Sequence, residues 1–206
     1  LVFAAYLPLL FCYIFNAICR LGVKLMSVKL TLIGISFCLL STSPICHAQK
    51  AIIFVGDGMG PTTIAATRIF EAQKNDLDWR SHMLSFEEFP NVALVRTHTV
   101  DAQIPDSAGT MSAIMTGHKT RSGVISVKPK YAKGDCKSVF EDPPRTLFEH
   151  ASEAGFSTGV ISNSRVTDAT PAATYGHSPD RMWENDSKTP DFALKQGCGD
   201  LASQMI

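Results

Sequence analysis

Residues 51–55, Ala-Ile-Ile-Phe-Val, form a continuous apolar run of strand-forming side chains, closed at once by Gly56-Asp57-Gly58-Met59-Gly60 and then by Pro61. A run without polar alternation predicts a strand covered on both faces, which demands layers on either side of a sheet. Pro61 suits the first turn of a helix, and residues 62–70 continue it. Strand, glycine-rich turn and helix together imply an α/β architecture. Ligands in such sheets bind beyond the carboxyl ends of the strands, which is where Asp57 stands. Neither a G-x-G-x-x-G pattern nor a P-loop lysine occurs there, so a nucleotide loop is excluded. Glycine on both sides of Asp57 permits a sharp turn and leaves room for a metal ion or substrate to approach. A solvated surface turn is the other reading of the same residues.

The rest of the chain repeats this alternation. Residues 91–97 predict a second strand, leading to Asp106-Ser107 and a helix over 108–115, with Ser107 as its cap and Gly117 as its stop. Residues 123–136 are polar, with Pro129 and Gly134, and predict an irregular excursion. Asp142-Pro143-Pro144 breaks the chain, residues 146–154 predict an amphipathic helix stopped by Gly155, and 156–161 predict a third strand. Strands and helices in turn imply a mainly parallel central sheet flanked by helices. After the third strand come Asp168 and Thr170, whose oxygens point the same way if the segment is extended. Hard cations take such ligands; Thr170 before Pro171 also fits a helix start. Arg181 follows within reach of the same strand end. Residues 186–190 read as a polar loop and 200–206 as the beginning of a helix.

The leader separates from this pattern. The sequence opens on Leu1, and residues 1–18 are apolar apart from Asn16, which a membrane anchor would also be. Met26 begins a better formed signal: a basic stretch at 26–29, an apolar stretch at 30–40, and Cys46-His47-Ala48 as a small-residue cleavage site. Residues 26–48 therefore read as a signal peptide, 1–25 as an upstream non-native extension, and 49–206 as the folded part. The expected destination is the periplasm or the extracellular space, with no stable membrane anchor after cleavage. Of six cysteines, only Cys136 and Cys198 lie outside the leader. An even pair in an oxidising compartment predicts a disulfide, with two buried free thiols as the alternative. With 19 basic and 19 acidic residues and no basic run, nothing points to nucleic acid.

The candidate site residues have one chemistry in common. Asp57, Asp106 with Ser107, Asp168 with Thr170, and Arg181 offer a hydroxyl nucleophile, carboxylates, and a guanidinium suited to bidentate binding of an oxyanion. No histidine base adjoins Ser107, so activation by a divalent cation is the available route. The combination points to phosphoryl or sulfuryl transfer.

Ile53-Phe54-Val55-Gly56-Asp57-Gly58-Met59-Gly60, Asp106-Ser107-Ala108, Thr116-Gly117 and Asp168-Ala169-Thr170-Pro171-Ala172-Ala173, with Arg181 beyond, resemble an alkaline phosphatase through most of residues 50–206. The resemblance implies a three-layer sandwich and hydrolysis of phosphate monoesters through a phosphoserine in a site of two zinc ions and one magnesium. It implies Ser107 as nucleophile and zinc ligand, Asp57 as bridge between that zinc and magnesium, Thr170 as magnesium ligand, and Asp168 as outer-sphere partner of magnesium. Arg181 would clamp two phosphate oxygens, steadied by Asp106. Cys136 and Cys198 resemble the paired cysteines of the animal branch, whereas Asp168 is a bacterial feature where animal members usually carry His. A homodimer is the family's usual assembly. The family's remaining zinc ligands match no position here, so the chain reads as an N-terminal portion, inactive and unable to retain zinc by itself. Ser107-Ala108-Gly109 departs from the sulfatase motif, and a serine in place of threonine argues against phosphodiesterases. A non-catalytic exported phosphate-binding or metal-binding protein is the rival from another class.

Overall fold

In the structure, a computed structural model that describes residues 2–4 and 50–206, the apolar run becomes a strand of three residues. Strand β2 (Ile53–Val55) pairs antiparallel with β1 (Val2–Ala4), Val55 facing Val2 and Ile53 facing Ala4. This two-stranded ribbon is the sheet found among the described residues. The expected mainly parallel sheet is not formed there, and Phe54, 68 % exposed, has no second covering layer. Residues 91–97 and 156–161 likewise take no regular structure; Leu94 is 93 % and Ile161 100 % exposed. Strand propensity expresses itself only where a neighbouring strand supplies the ladder and a packed layer supplies burial, and among the described residues these segments have neither. The signal-peptide and extension readings, apart from β1, fall outside the described residues.

The chain divides into two units, Leu1–Phe86 and Glu87–Ile206. In the first, Met59 N–H donates to the Gly56 carbonyl at 3.3 Å, closing a turn with Asp57 exposed at its tip. Gly58 takes φ +66°, a region that favours glycine. Helix α1 (Pro61–Lys74) starts at the proline as expected and runs four residues beyond 70. Ala72 of this helix and Leu84, beyond it in the same unit, are buried.

The second unit is built on α2 (Ser107–Thr116), α3 (Lys137–Phe140), α4 (Leu147–Glu153), α5 (Ala169–Ala172) and α6 (Asp191–Lys195). Helix α2 packs against α5 and α4. Ala108, Met111 and Met115 of α2 and Ala169 and Ala172 of α5 are buried, and small residues let the two backbones approach closely. A buried polar stitch ties in the segment around Ser126. Its N–H donates to Ser112 Oγ at 2.8 Å, and its hydroxyl donates to the Ala173 carbonyl at 3.3 Å. Because each of these polar atoms has a partner, burying them costs little.

The irregular excursion over 123–136 is borne out, with a single antiparallel bridge between Ile125 and Ser178. Helix α4 begins with reciprocal bonds between Thr146 and Glu149 and is followed by Gly155 at φ +83°. At residues 200–206 the expected helix is a turn and a short 3-10 segment, Ser203–Met205. Cys136 and Cys198 are both buried and pack together with Trp183 and Ala193. They are free thiols in the structure rather than the expected disulfide. Burial and a hydrogen bond with Cys136 push the Cys198 thiol far up, so it stays protonated. Among the described residues no helix is long and apolar enough to cross a membrane.

Candidate active site

The site grows from the start of α2. Asp106 sits in an extended conformation, and its Oδ1 accepts the Gly109 N–H at 3.1 Å. A cap needs an oxygen that reaches the amides two or three residues ahead, and Asp106 supplies it. The capping role therefore belongs to Asp106, not to Ser107 as expected, and Ser107 is the first residue of the helix, half-buried. Gly117 ends the helix at φ +74°, as the sequence predicts. The close approach at the first turn requires glycine at 109. A Cβ there would lie 2.5 Å from the Thr99 methyl, which cannot withdraw easily because the Thr99 hydroxyl is bonded to Asp101 and Ser122.

Asp106 Oδ2 faces the other way. It accepts the Gly123 N–H at 2.9 Å and Arg181 Nη1–H at 3.2 Å. The Gly123 carbonyl in turn accepts the Arg181 backbone N–H at 2.9 Å, so the arginine is held by main chain and side chain at once. Its second amine, Nη2, donates to Asp168 Oδ1 at 3.1 Å. The three side chains are about equally sheltered, at 27 %, 27 % and 31 % exposure for Arg181, Asp106 and Asp168. Two carboxylates thus hold one guanidinium from two elements.

Asp168 caps α5 through the Ala169 N–H at 2.8 Å. Thr170 is the second residue of that helix. The extended geometry expected for the pair is therefore replaced by a helical turn, in which residues two apart face different directions. Thr170 is half-buried, on a helix that packs against α2. Asp57 belongs to the first unit and is exposed.

The sequence reading passed over two residues next to this group. Glu184 has a side chain only 4 % exposed and takes four contacts. Arg165 Nε donates at 2.7 Å and Nη2 at 3.2 Å, Thr167 Oγ1 at 2.8 Å, and Lys188 Nζ at 2.9 Å. These donors, Arg165 foremost, hold the Glu184 carboxyl at about 2 despite the opposing effect of burial. Arg165 Nη2 also lies 3.9 Å from Asp168 Oδ2. Single charges in polar loops read as solvated surface, and only the proximity of Arg165 to Asp168 in sequence hinted otherwise.

Chemically, the arrangement joins a serine at a helix N-terminus to a guanidinium with fixed orientation, a setting for an oxyanion. Asp57, Ser107, Asp168 and Thr170 are oxygen donors of the kind divalent cations accept. Among the described residues no group of three or more His, Cys, Asp or Glu gathers as a metal cluster.

Residues 48–206 match the family described as alkaline phosphatase. Among curated proteins, the chain is 38 % identical to the tissue-nonspecific isozyme of alkaline phosphatase from Homo sapiens and 36 % identical to alkaline phosphatase from Gadus morhua. Each comparison covers 77 % of this chain but only 30 % and 33 % of the relative. Among solved structures it is similar to the cold-active alkaline phosphatase of a psychrophilic Shewanella sp. The TM-score is 0.51 at 27 % identity, covering 64 % of this chain and 30 % of that one. The enzyme from the Antarctic bacterium TAB5 shares the fold at TM-score 0.51 and 23 % identity, over 72 % of this chain and 42 % of the other. The chain thus spans about a third of the length of the curated relatives it matches. With the match running unbroken through the Asp106-Ser107 helix and the Asp168 to Arg181 segment, the chain belongs to the alkaline phosphatase family.

Proposed function

We propose that this chain carries the nucleophile and the phosphate clamp of a phosphomonoesterase, within the three-layer α/β sandwich that the family resemblance implies. The observation that supports it best is the Asp106–Arg181–Asp168 group at the mouth of α2, beside Ser107. In this reading Ser107 Oγ forms a bond to phosphorus as the ester P–O bond breaks, and the alcohol leaves with a proton. Arg181 binds two phosphoryl oxygens through its planar fork. Asp106 and Asp168 orient the fork and hold its charge in the site, and the amides at the start of α2 face the same anion. Hydrolysis of the phosphoserine then frees the serine for another cycle.

Two zinc ions and one magnesium belong to this reading: Ser107 and Asp57 would serve as zinc ligands, Asp57 and Thr170 as magnesium ligands, and Asp168 would act through the outer sphere of magnesium. These side chains are oxygen donors of the kind such cations take, and they are too few to hold three ions. When bound, the cations lower the serine hydroxyl pKa and neutralise the phosphoryl oxygens. The 206-residue chain by itself is accordingly expected to release no phosphate from a monoester; turnover by the purified chain would contradict this ligand assignment. Export through residues 26–48 and assembly as a homodimer complete the reading. N-terminal sequencing of the exported protein should begin at Gln49, and its sedimentation should give the mass of a dimer.

The deciding experiment is acid trapping of labelled phosphate on the complete protein. Label is expected on Ser107 and absent from Ser107→Ala. A protein that binds phosphate but takes no label would support the non-catalytic binding reading instead.

A further inference from the structure

Glu184 is the most deeply buried charged residue among those described, at 3 % exposure. A buried anion is costly unless it is paired, and Glu184 is paired by Arg165, Lys188 and Thr167. Of these, only Arg165 continues toward the site. Its Nη2 faces two carboxylates, Glu184 Oε1 at 3.2 Å and Asp168 Oδ2 at 3.9 Å. Glu184 holds the stronger claim because it also takes Nε at 2.7 Å, a bidentate grip in which the guanidinium plane is fixed. Asp168 is left to Arg181, at 3.1 Å. The charges therefore alternate along a chain from Glu184 through Arg165, Asp168 and Arg181 to Asp106.

Glu184 is anchored well enough to hold that position. Its carbonyl accepts the Ala202 N–H at 3.0 Å, and the neighbouring Trp183 carbonyl accepts the Leu201 N–H at 2.9 Å. Trp183 itself is packed in the core with Cys136, Ala193 and Cys198. Arg165, in contrast, has a side chain 63 % exposed and would be mobile without the grip.

We infer that Glu184 is a positioning residue for the phosphate clamp: by holding Arg165 in a bidentate grip it keeps Asp168 committed to Arg181. This rests on the reading of Arg181 as the group that binds phosphate. Without the Glu184 charge, Arg165 turns to Asp168, competes with Arg181 for it, and loosens the fork. Arg165 acts in this scheme as a restrained competitor, so its removal should cure the defect that loss of Glu184 creates.

The test is the inhibition constant of inorganic phosphate, with thermal unfolding alongside, on the complete protein and its variants. Glu184→Gln should weaken phosphate binding about fivefold, within the range of couplings between charged groups in contact. Arg165→Met alone should stay within about twofold of wild type, and Glu184→Gln combined with Arg165→Met should recover to the Arg165→Met value. A merely structural role for Glu184 gives no such rescue. Should Glu184→Gln not fold, Arg165→Lys answers the same question, since an ammonium makes only a point contact with Glu184 and is left to compete for Asp168. It should weaken phosphate binding too. Wild-type affinity in Glu184→Gln, a double variant as weak as the single one, or an unaffected Arg165→Lys overturns the inference while leaving the phosphatase reading intact. A wild-type protein with neither phosphate binding nor label on Ser107 overturns both.

Discussion

Asp106 and Arg181 lie 75 residues apart in sequence and meet at 3.2 Å, while the other oxygen of the same aspartate caps the helix that begins at Ser107. The guanidinium and the serine are therefore referenced to one carboxylate. A shift of either carries the other with it, which suits the proposed pairing of a nucleophile with an anion clamp in fixed register.

Asp106→Asn should separate these two duties. The amide oxygen can still cap Gly109, but the amide nitrogen then faces donors, Arg181 Nη1 and Gly123 N–H, on the other side. Phosphate affinity of the complete protein should fall on the order of tenfold, the scale of a lost charged hydrogen bond. Competitive inhibition by phosphate measures it, and unchanged affinity would detach Asp106 from the clamp.

Gly109→Ala tests the tight first turn of α2. The new methyl would meet the Thr99 methyl at 2.5 Å and the Arg121 carbonyl at 3.2 Å. Overpacking of this kind costs roughly 1–3 kcal/mol. Urea unfolding should show that loss, and Thr99→Ser, which removes the clashing methyl and retains the hydroxyl, should recover part of it.

The Glu184 carboxyl titrates at about 2 in the folded chain against an ordinary value of 4.5. A depressed carboxylate stabilises the fold fully above its unfolded value and loses that contribution as pH falls through the folded one. The stability difference between wild type and Glu184→Gln should therefore be constant above about pH 5 and shrink between about 4.5 and 2. Urea midpoints across that range check it; a difference that grows on acidification would contradict the assignment.

Cys136 and Cys198 pack in one cluster as buried thiols. Burial raises the Cys198 thiol, which makes it a poor thiolate for added reagents while the fold is intact. Proximity still permits oxidation to a bridge, which on the chain-entropy model would stabilise by about 4 kcal/mol. If the protein is exported as proposed, it should show no free thiol after denaturation and a melting temperature that drops with reductant. Two titratable thiols in protein recovered from an oxidising compartment would leave the pair as core packing only.

What the sequence by itself determined were the features decided within one or two turns of chain. Pro61 begins α1, Gly117 and Gly155 stop their helices, the polar stretch over 123–136 stays irregular, and Ser107 stands at a helix N-terminus. Each depends on backbone preferences and on hydrogen bonds between residues three or four apart, so a short window contains the whole cause. The family signature was legible in the same way, because its motifs are contiguous.

Tertiary structure alone decided which residue caps α2, which carboxylates hold Arg181, and that Glu184 is buried. Local chemistry suggested Ser107 as the cap, but Asp106 took the role while its second oxygen bound Gly123 and Arg181. The strands expected at 91–97 and 156–161 fail for a related reason: their side chains favour a strand, but a ladder needs a partner strand, and none lies beside them among the described residues. Long-range pairing is set by what folds alongside, and no window of sequence contains both halves of such a contact.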